Sequence, residues 1–178
     1  MFLVDTNVMM AASAVHELSS VATLAMPREI ELRELAFRWL ADFDCSDQKI
    51  LLDDEDLIVT EYQNHLPYAY PEQEYGMLML QSKRDRNLVE FVPIDTDMTT
   101  GERIAVLDPS HVEFVPDRAD RKWVACALAA RDYLGENPPI VYAAERDWFK
   151  AEEDLRKIGI DFVRLLPDDW YTAARAER

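Results

Sequence analysis

The sequence predicts an α/β protein, built as a three-layer α/β/α sandwich around a mostly parallel central sheet. Three observations predict it. Short apolar runs, such as Phe2-Leu3-Val4, read as strands buried on both faces. Stretches with apolar residues at three- and four-residue steps read as helices. The two kinds alternate along the chain, which is the pattern of a parallel sheet covered by helices. At 178 residues the chain is long enough for one domain with a substantial core. We expect that core over residues 2–166, followed by a short tail over 167–178.

Taken in order, residues 2–8 read as the first strand. Residues 11–24 are rich in Ala and Ser and carry helical spacing; such a segment serves either as core or as a dimer face. Pro27 suits the first position of the next helix, whose early turns carry Glu29, Glu31 and Glu34. Leu32, Leu35, Ala36, Trp39 and Leu40 form its apolar stripe. After a polar connection, Ile50, Leu51 and Leu52 predict a short strand. A helix over 55–65 follows, stopped by Pro67, and then a loop through PYAYPEQEY. The spacing predicts a helix over 74–87 and a strand over 88–94. MTTGER reads as a turn-rich insertion, and residues 112–115 as a short strand or an extended lead-in. A helix over 117–134 repeats Trp123, Ala127, Ala130 and Leu134 at helical steps, and Gly135, Asn137, Pro138 and Pro139 end it. A strand over 140–144, a helix over 148–158, a strand over 160–165 and a fraying helix from Asp168 complete the pattern.

Composition narrows the classes. No stretch approaches the roughly 18 apolar residues needed to span a bilayer, and MFLVDTNVMM lacks the basic start of a signal peptide. A cytoplasmic protein without a membrane partner is the expectation. Cys45 and Cys126 fit neither a zinc spacing nor a disulfide in that compartment. The formal net charge of −16 repels polyanions at long range. It argues against a nucleic-acid binder, unless many of the carboxylates are gathered where cations hold them.

Some of the acids are placed for such a gathering. Parallel sheets bind ligands outside the carboxyl ends of their strands, and Asp5 interrupts the first apolar run at that position. Glu61 lies within a helix. Asp117 and Asp120 stand where a lead-in becomes an apolar helix, and Glu145 and Asp147 follow the strand PPIVYAA. Singly, each has an ordinary role as a cap, a turn residue or a solvated surface charge. Together they fall in regions that an α/β sheet brings to one edge. Clustered carboxylates repel and raise one another's pKa values, and hard divalent cations favour such oxygen ligands.

VDTNV at 4–8, EY at 61–62, DRADRKWVACALAA at 117–130 and AERDW at 144–148 resemble, in that order, the PIN-domain nucleases. The resemblance implies an α/β/α fold and a metal-dependent ribonuclease that hydrolyses phosphodiester bonds with Mg²⁺ or Mn²⁺. It also implies RNA as substrate, with DNA still open, and membership of a toxin–antitoxin pair with an antitoxin protein as partner. Carried over by position, Asp5, Glu61, Asp120 and Asp147 are the catalytic acids. The metal set is Asp5, Glu61, Asp117, Asp120, Glu145 and Asp147. The family's T-x-D-x-D-F appears here as A-A-E-R-D-W, so Glu145 and Asp147 both compete for the last position. Thr6 and Asn7 match the family's DTN and would hold Asp5 or a water. Arg118, Arg121, Lys122 and Arg146 neighbour these acids and offer a basic rim for phosphates.

Two rivals are distinguishable. A phosphatase of the haloacid-dehalogenase type needs a second acid two residues after the first, where this chain has Asn7, and a catalytic Lys before a late acidic turn. A PIN-like interaction module would keep the fold with an inactive site and use residues 11–56 as a partner surface. His16, His65 and His111 accompany no nucleophile pattern, and Trp123 and Trp148 read as core anchors.

Overall fold

The structure is a computed structural model and describes residues 1–66, 74–99 and 101–173. Its elements follow in chain order: β1 (Leu3–Val4), α1 (Thr6–Ser13), α2 (Ile30–Cys45), β2 (Ile50–Asp53), α3 (Leu57–His65), α4 (Tyr75–Asp85), β3 (Val89–Val92), β4 (Thr96–Thr99), β5 (Glu102–Ala105), α5 (Pro109–Val112), α6 (Arg121–Leu134), β6 (Ile140–Tyr142), α7 (Arg146–Lys157), β7 (Phe162–Arg164) and α8 (Asp168–Ala173). The class is mixed α/β with parallel pairing, as the alternating pattern predicts.

β1 pairs in parallel with β6, and β6 with β7. β2 pairs in parallel with β3. A parallel bridge between Phe2 and Ile50 joins the two groups. Across it Phe2 N–H donates to the Lys49 carbonyl and Leu51 N–H to the Phe2 carbonyl, both at 2.9 Å. The strands therefore run β3-β2-β1-β6-β7, and their carboxyl ends meet at one edge. β1, β2 and β6 are buried along their whole length, which explains their continuous apolar composition. α1 packs on α2, α3 and α4, while α6 packs against β2 and β3.

Several boundaries differ from the sequence expectation. The first strand stops at Val4 rather than at residue 8. Asp5 is the N-cap of α1, and its Oδ1 accepts the Asn7 N–H at 2.8 Å. A carboxylate at that position satisfies one of the free N–H groups of a helix start, so the chain turns helical at Thr6. α1 contributes to the core: Val8, Met9, Ala11 and Ala12 are buried.

The expected helix over 11–24 ends at Ser13, and residues 14–27 run as turns. Arg33 holds them, since its guanidinium donates to the carbonyls of Ala14, Ala22, Ala25 and Pro27 at 2.6–3.2 Å. Pro27 lies ahead of α2, which begins at Ile30 with Glu29 as its cap. Close packing also shapes this region: a Cβ on Gly76 would stand 2.9 Å from the Met9 Cβ and 3.0 Å from its carbonyl oxygen.

The segment read as a turn-rich insertion is an antiparallel hairpin, β4 with β5, in register from Thr96 opposite Ala105 to Thr99 opposite Glu102. Residues 112–115 are neither strand nor extended; they follow and overlap the short helix α5. α6 begins at Arg121 and ends at Gly135, whose φ of 69° is the left-handed cap expected of that glycine. Of the expected loop PYAYPEQEY, residues 67–73, Pro67 included, lie outside the described residues, while Glu74 is the N-cap residue of α4 and Tyr75 begins it.

Candidate functional site

The site lies at the carboxyl edge of β1 and β6. The Leu3↔Ile140 and Val4↔Val141 register continues into Asp5, whose N–H donates to the Val141 carbonyl at 2.9 Å. This pairing sets Asp5 beside the β6–α7 turn, 140 residues away in sequence but adjacent in space. Asp5 is 3% exposed. Both its oxygens are engaged: Oδ1 by the Asn7 N–H, and Oδ2 by the Trp148 indole N–H at 3.1 Å.

Asn7 also reaches the second acid. Its Nδ2 donates to Glu145 Oε2 at 2.9 Å, while Glu145 Oε1 accepts the Asp147 N–H at 3.0 Å and so caps α7. One residue thus ties Asp5 to Glu145 through its backbone and its side chain. Of the two acids in the AERDW turn, Glu145 is the one turned toward Asp5. Asp147 is exposed, and its carboxylate pairs with Lys150 at 2.5 Å.

Glu61 enters from α3. α3 is fixed against β2 by the fully buried Asp53, whose two oxygens accept the Leu57 and Ile58 N–H groups at 2.7 and 2.8 Å. The next residue along α3, Tyr62, donates its hydroxyl to the Val4 carbonyl, immediately before Asp5. Glu61 Oε1 accepts the Thr6 hydroxyl, and Oε2 forms an ion pair with Lys122. Lys122, expected at a phosphate-facing rim, is instead buried against Glu61 and the Ala119 carbonyl.

Asp120 precedes α6 and makes no capping bond with its side chain. Asp117 is exposed, its Oδ1 accepting the Ala119 N–H at 2.9 Å in a local turn.

The electrostatics link these acids. Burial pushes the Asp5 carboxyl up to about 7; the Glu145 and Glu61 charges add to the rise, and the Trp148 and Asn7 donors oppose it. Asp120 is pushed up to about 8, first by burial and then by the Asp5, Glu145 and Asp117 charges, with Lys122 opposing. Glu145 is raised as well, chiefly by burial. Asp5, Glu61, Asp120 and Glu145 therefore form one interacting group, drawn from β1, α3, the start of α6 and the β6–α7 turn.

As a donor set for a hard divalent cation, this group fits in chemistry: carboxylate oxygens, buried, and destabilised by their own repulsion. By spacing it is not a preassembled cage. Among the described residues, no three His, Cys, Asp or Glu side chains already stand close enough together to hold an ion. The hydrogen bonds show what holds the oxygens instead: Asn7, Trp148, Thr6 and Lys122 occupy them.

Two clefts flank the group. One of about 320 Å³ is lined by Val115, Asp117, Asp120, Asp147, Trp148 and Lys150. A larger one of about 720 Å³ lies between α3, the β4–β5 hairpin and the start of α6, with Glu61, His65, Arg103, Arg118 and Lys122 on its walls. Arg118 is exposed there. Arg121 is half-buried and donates to the Val115 carbonyl at 3.4 Å, and Arg146 lies over the Trp170 ring at 5.7 Å. The expected basic rim is thus reduced to Arg118, since Arg103 from the hairpin is ion-paired with Glu55.

Comparison with protein-family models, curated proteins and solved structures finds no match to this chain. Motif reading placed Trp148 in the core and Lys122 on a phosphate rim; it missed the first as a donor to Asp5 and the second as an internal counter-charge. Their partners lie 143 and 61 residues away, and no local signal announces such contacts.

Proposed function

We propose that this chain is a metal-dependent ribonuclease with a PIN-like three-layer α/β/α architecture, hydrolysing phosphodiester bonds with Mg²⁺ or Mn²⁺. The observation that carries the reading is the gathering of buried acids from separate elements: burial pushes the carboxyls of Asp5 and Asp120 up to about 7 and about 8, and the Glu145 charge adds to both rises. Such an arrangement is unfavourable without positive charge, and buried acids of this kind concentrate at functional sites. The order of the motifs supports the family and RNA as substrate.

Asp5 and Glu145 would hold the cation, with Asp120 and Glu61 completing its surroundings. A divalent ion bound there would lower the pKa of a water and offset the charge that develops on the phosphodiester. The protein's own part is preparation. Asn7 fixes the separation of Asp5 and Glu145. Trp148 sets the plane of the Asp5 carboxylate and, with Tyr62, seals the inner side of the site from water. The Thr6 hydroxyl fixes Glu61. Burial and the neighbouring acids favour the protonated form of Asp120 at neutral pH, and a bound cation would favour its charged form.

A second reading has an observation in its favour. The Lys122–Glu61 ion pair and the open spacing of the acids also suit a PIN-like interaction module without catalysis. A cleavage assay separates the two. Labelled RNA and DNA are incubated with Mg²⁺, Mn²⁺ or EDTA, using the wild type and Asp5→Asn, with folding checked by circular dichroism. The nuclease reading expects cation-dependent cutting of RNA by the wild type and loss of most of it in folded Asp5→Asn. Equal cutting by both proteins, or none by either, contradicts it.

A further inference from the structure

The four acids divide into two unlike halves. Asp5 and Glu145 are joined by Asn7, and among the described residues the side chains that donate to them, Asn7 and Trp148, are neutral. Among the described residues neither carries an ion pair, and nor does Asp120. The Glu61 half already contains a cation. Lys122 is 6% exposed, ion-paired with Glu61 Oε2 and bonded to the Ala119 carbonyl.

We infer that the Lys122 ammonium takes the place of a second cation in this acidic group, so that the site loads a single divalent ion. The inference rests on the metal-dependent reading above and deepens it.

Three features support it. Lys122 belongs to the first turn of α6 and reaches back over Ala119, so its position is set by the same helix start that carries Asp120. Its charge acts on Glu61 directly and reaches Asp120 as well. Glu61 is then doubly committed, with the Thr6 hydroxyl on Oε1 and Lys122 on Oε2. An ion entering on that side would have to displace a tethered ammonium whose local concentration is fixed by the fold. On the Asp5–Glu145 side, an incoming ion displaces only neutral donors.

The chemistry of a lysine suits the role. An ammonium is a compact point charge with three N–H groups. Two are directed at Glu61 and Ala119, and the side chain forms part of the wall of the larger cleft, which brings its charge to that edge of the acidic group. In a two-ion hydrolase, the second ion steadies the oxygen opposite the attacking water. Here a fixed side chain supplies that positive charge and needs no ion from solution.

The test counts bound ions. Mn²⁺ is titrated into wild type, Lys122→Gln and Lys122→Arg, with heat of binding and the electron-spin signal of free Mn²⁺ read in parallel. Gln keeps hydrogen-bonding capacity toward Glu61 and Ala119 while losing the charge, and Arg keeps the charge. The inference expects one bound Mn²⁺ in wild type and in Lys122→Arg, and two in Lys122→Gln. Two ions in wild type overturn it while leaving the metal-dependent reading standing. One ion in both wild type and Lys122→Gln also overturns it. No binding to any of the three removes the metal-dependent reading itself, and this inference with it.

Discussion

The indole N–H of Trp148 donates to Oδ2 of Asp5 at 3.1 Å, across 143 residues of chain. The bond joins the helix that follows β6 to the strand end at β1. It opposes the rise that burial imposes on the Asp5 carboxyl. Trp148 is itself 1% exposed and packs near Phe162.

Trp148→Phe keeps most of that packing and removes the donor. The Asp5 carboxyl then has one fewer partner for its charged form and shifts further up. A residue that orients a metal ligand is worth about 10–100-fold in metal affinity. We therefore expect Mn²⁺ affinity at pH 7.5 to fall by about that factor, with a folded protein and a lower Tm. Calorimetric titration measures the first and thermal unfolding the second. Unchanged affinity would show that the indole serves packing alone.

Asp120 makes a pH prediction whose sign is fixed. Its carboxyl stands near 8 in the folded chain, against an ordinary value of about 3.9 when unfolded. Between those values the unfolded state has lost the proton that the folded state keeps, so the unfolded state binds fewer protons. Stability contributed by this group is therefore present below about pH 4 and declines as pH rises toward 8. Asp120→Asn mimics the protonated form. In EDTA the variant's advantage over wild type should be small at pH 5 and grow to a few degrees in Tm by pH 8.5. A difference of equal size at both pH values would contradict the shift.

Glu145 and Asp147 are separated by a pair of substitutions. Glu145 is joined to Asp5 through Asn7, and Asp147 faces solvent beside Lys150. Glu145→Gln should weaken Mn²⁺ binding by about tenfold or more. Asp147→Asn should leave it within about twofold, since exposed ion pairs carry little energy. Calorimetric titration of both variants decides, and the reverse order would move the ligand to Asp147.

Gly76 tests the packing behind the site. A methyl group there meets the Met9 Cβ and carbonyl at 2.9 and 3.0 Å, so α4 must move off α1. Overpacking of this kind costs about 1–3 kcal/mol. Gly76→Ala should lower the midpoint of urea unfolding accordingly. An unchanged midpoint would mean that the two helices adjust freely.

The sequence was informative where structure is local or repeats a period. The buried strands at Ile50 and Ile140, the amphipathic α6 and its Gly135 stop all follow from short windows. Asp5, Asp120 and Glu145 stand out because strand ends and helix starts are readable, and Glu61 because the order of the motifs picks it from its helix. What long-range contacts decide was not legible. The polar segments TDMT and ERIA have no apolar face to announce a hairpin, and β4 and β5 form only by pairing with each other. Arg33 carries no signal in its own window, yet it holds the carbonyls of Ala14, Ala22, Ala25 and Pro27 where a helix is expected. Lys122 looked like a rim charge for the same reason: its partner Glu61 is on another helix.

The central claim is that Asp5, Glu61, Asp120 and Glu145 share one divalent cation environment. A crystal grown with Mn²⁺ and measured at the manganese absorption edge tests it most directly. The account predicts an anomalous peak bonded to Asp5 and to at least one of Glu145, Asp120 and Glu61. A fully occupied Mn²⁺ bound away from Asp5, or crystals at saturating Mn²⁺ with no peak among these four side chains, would contradict it.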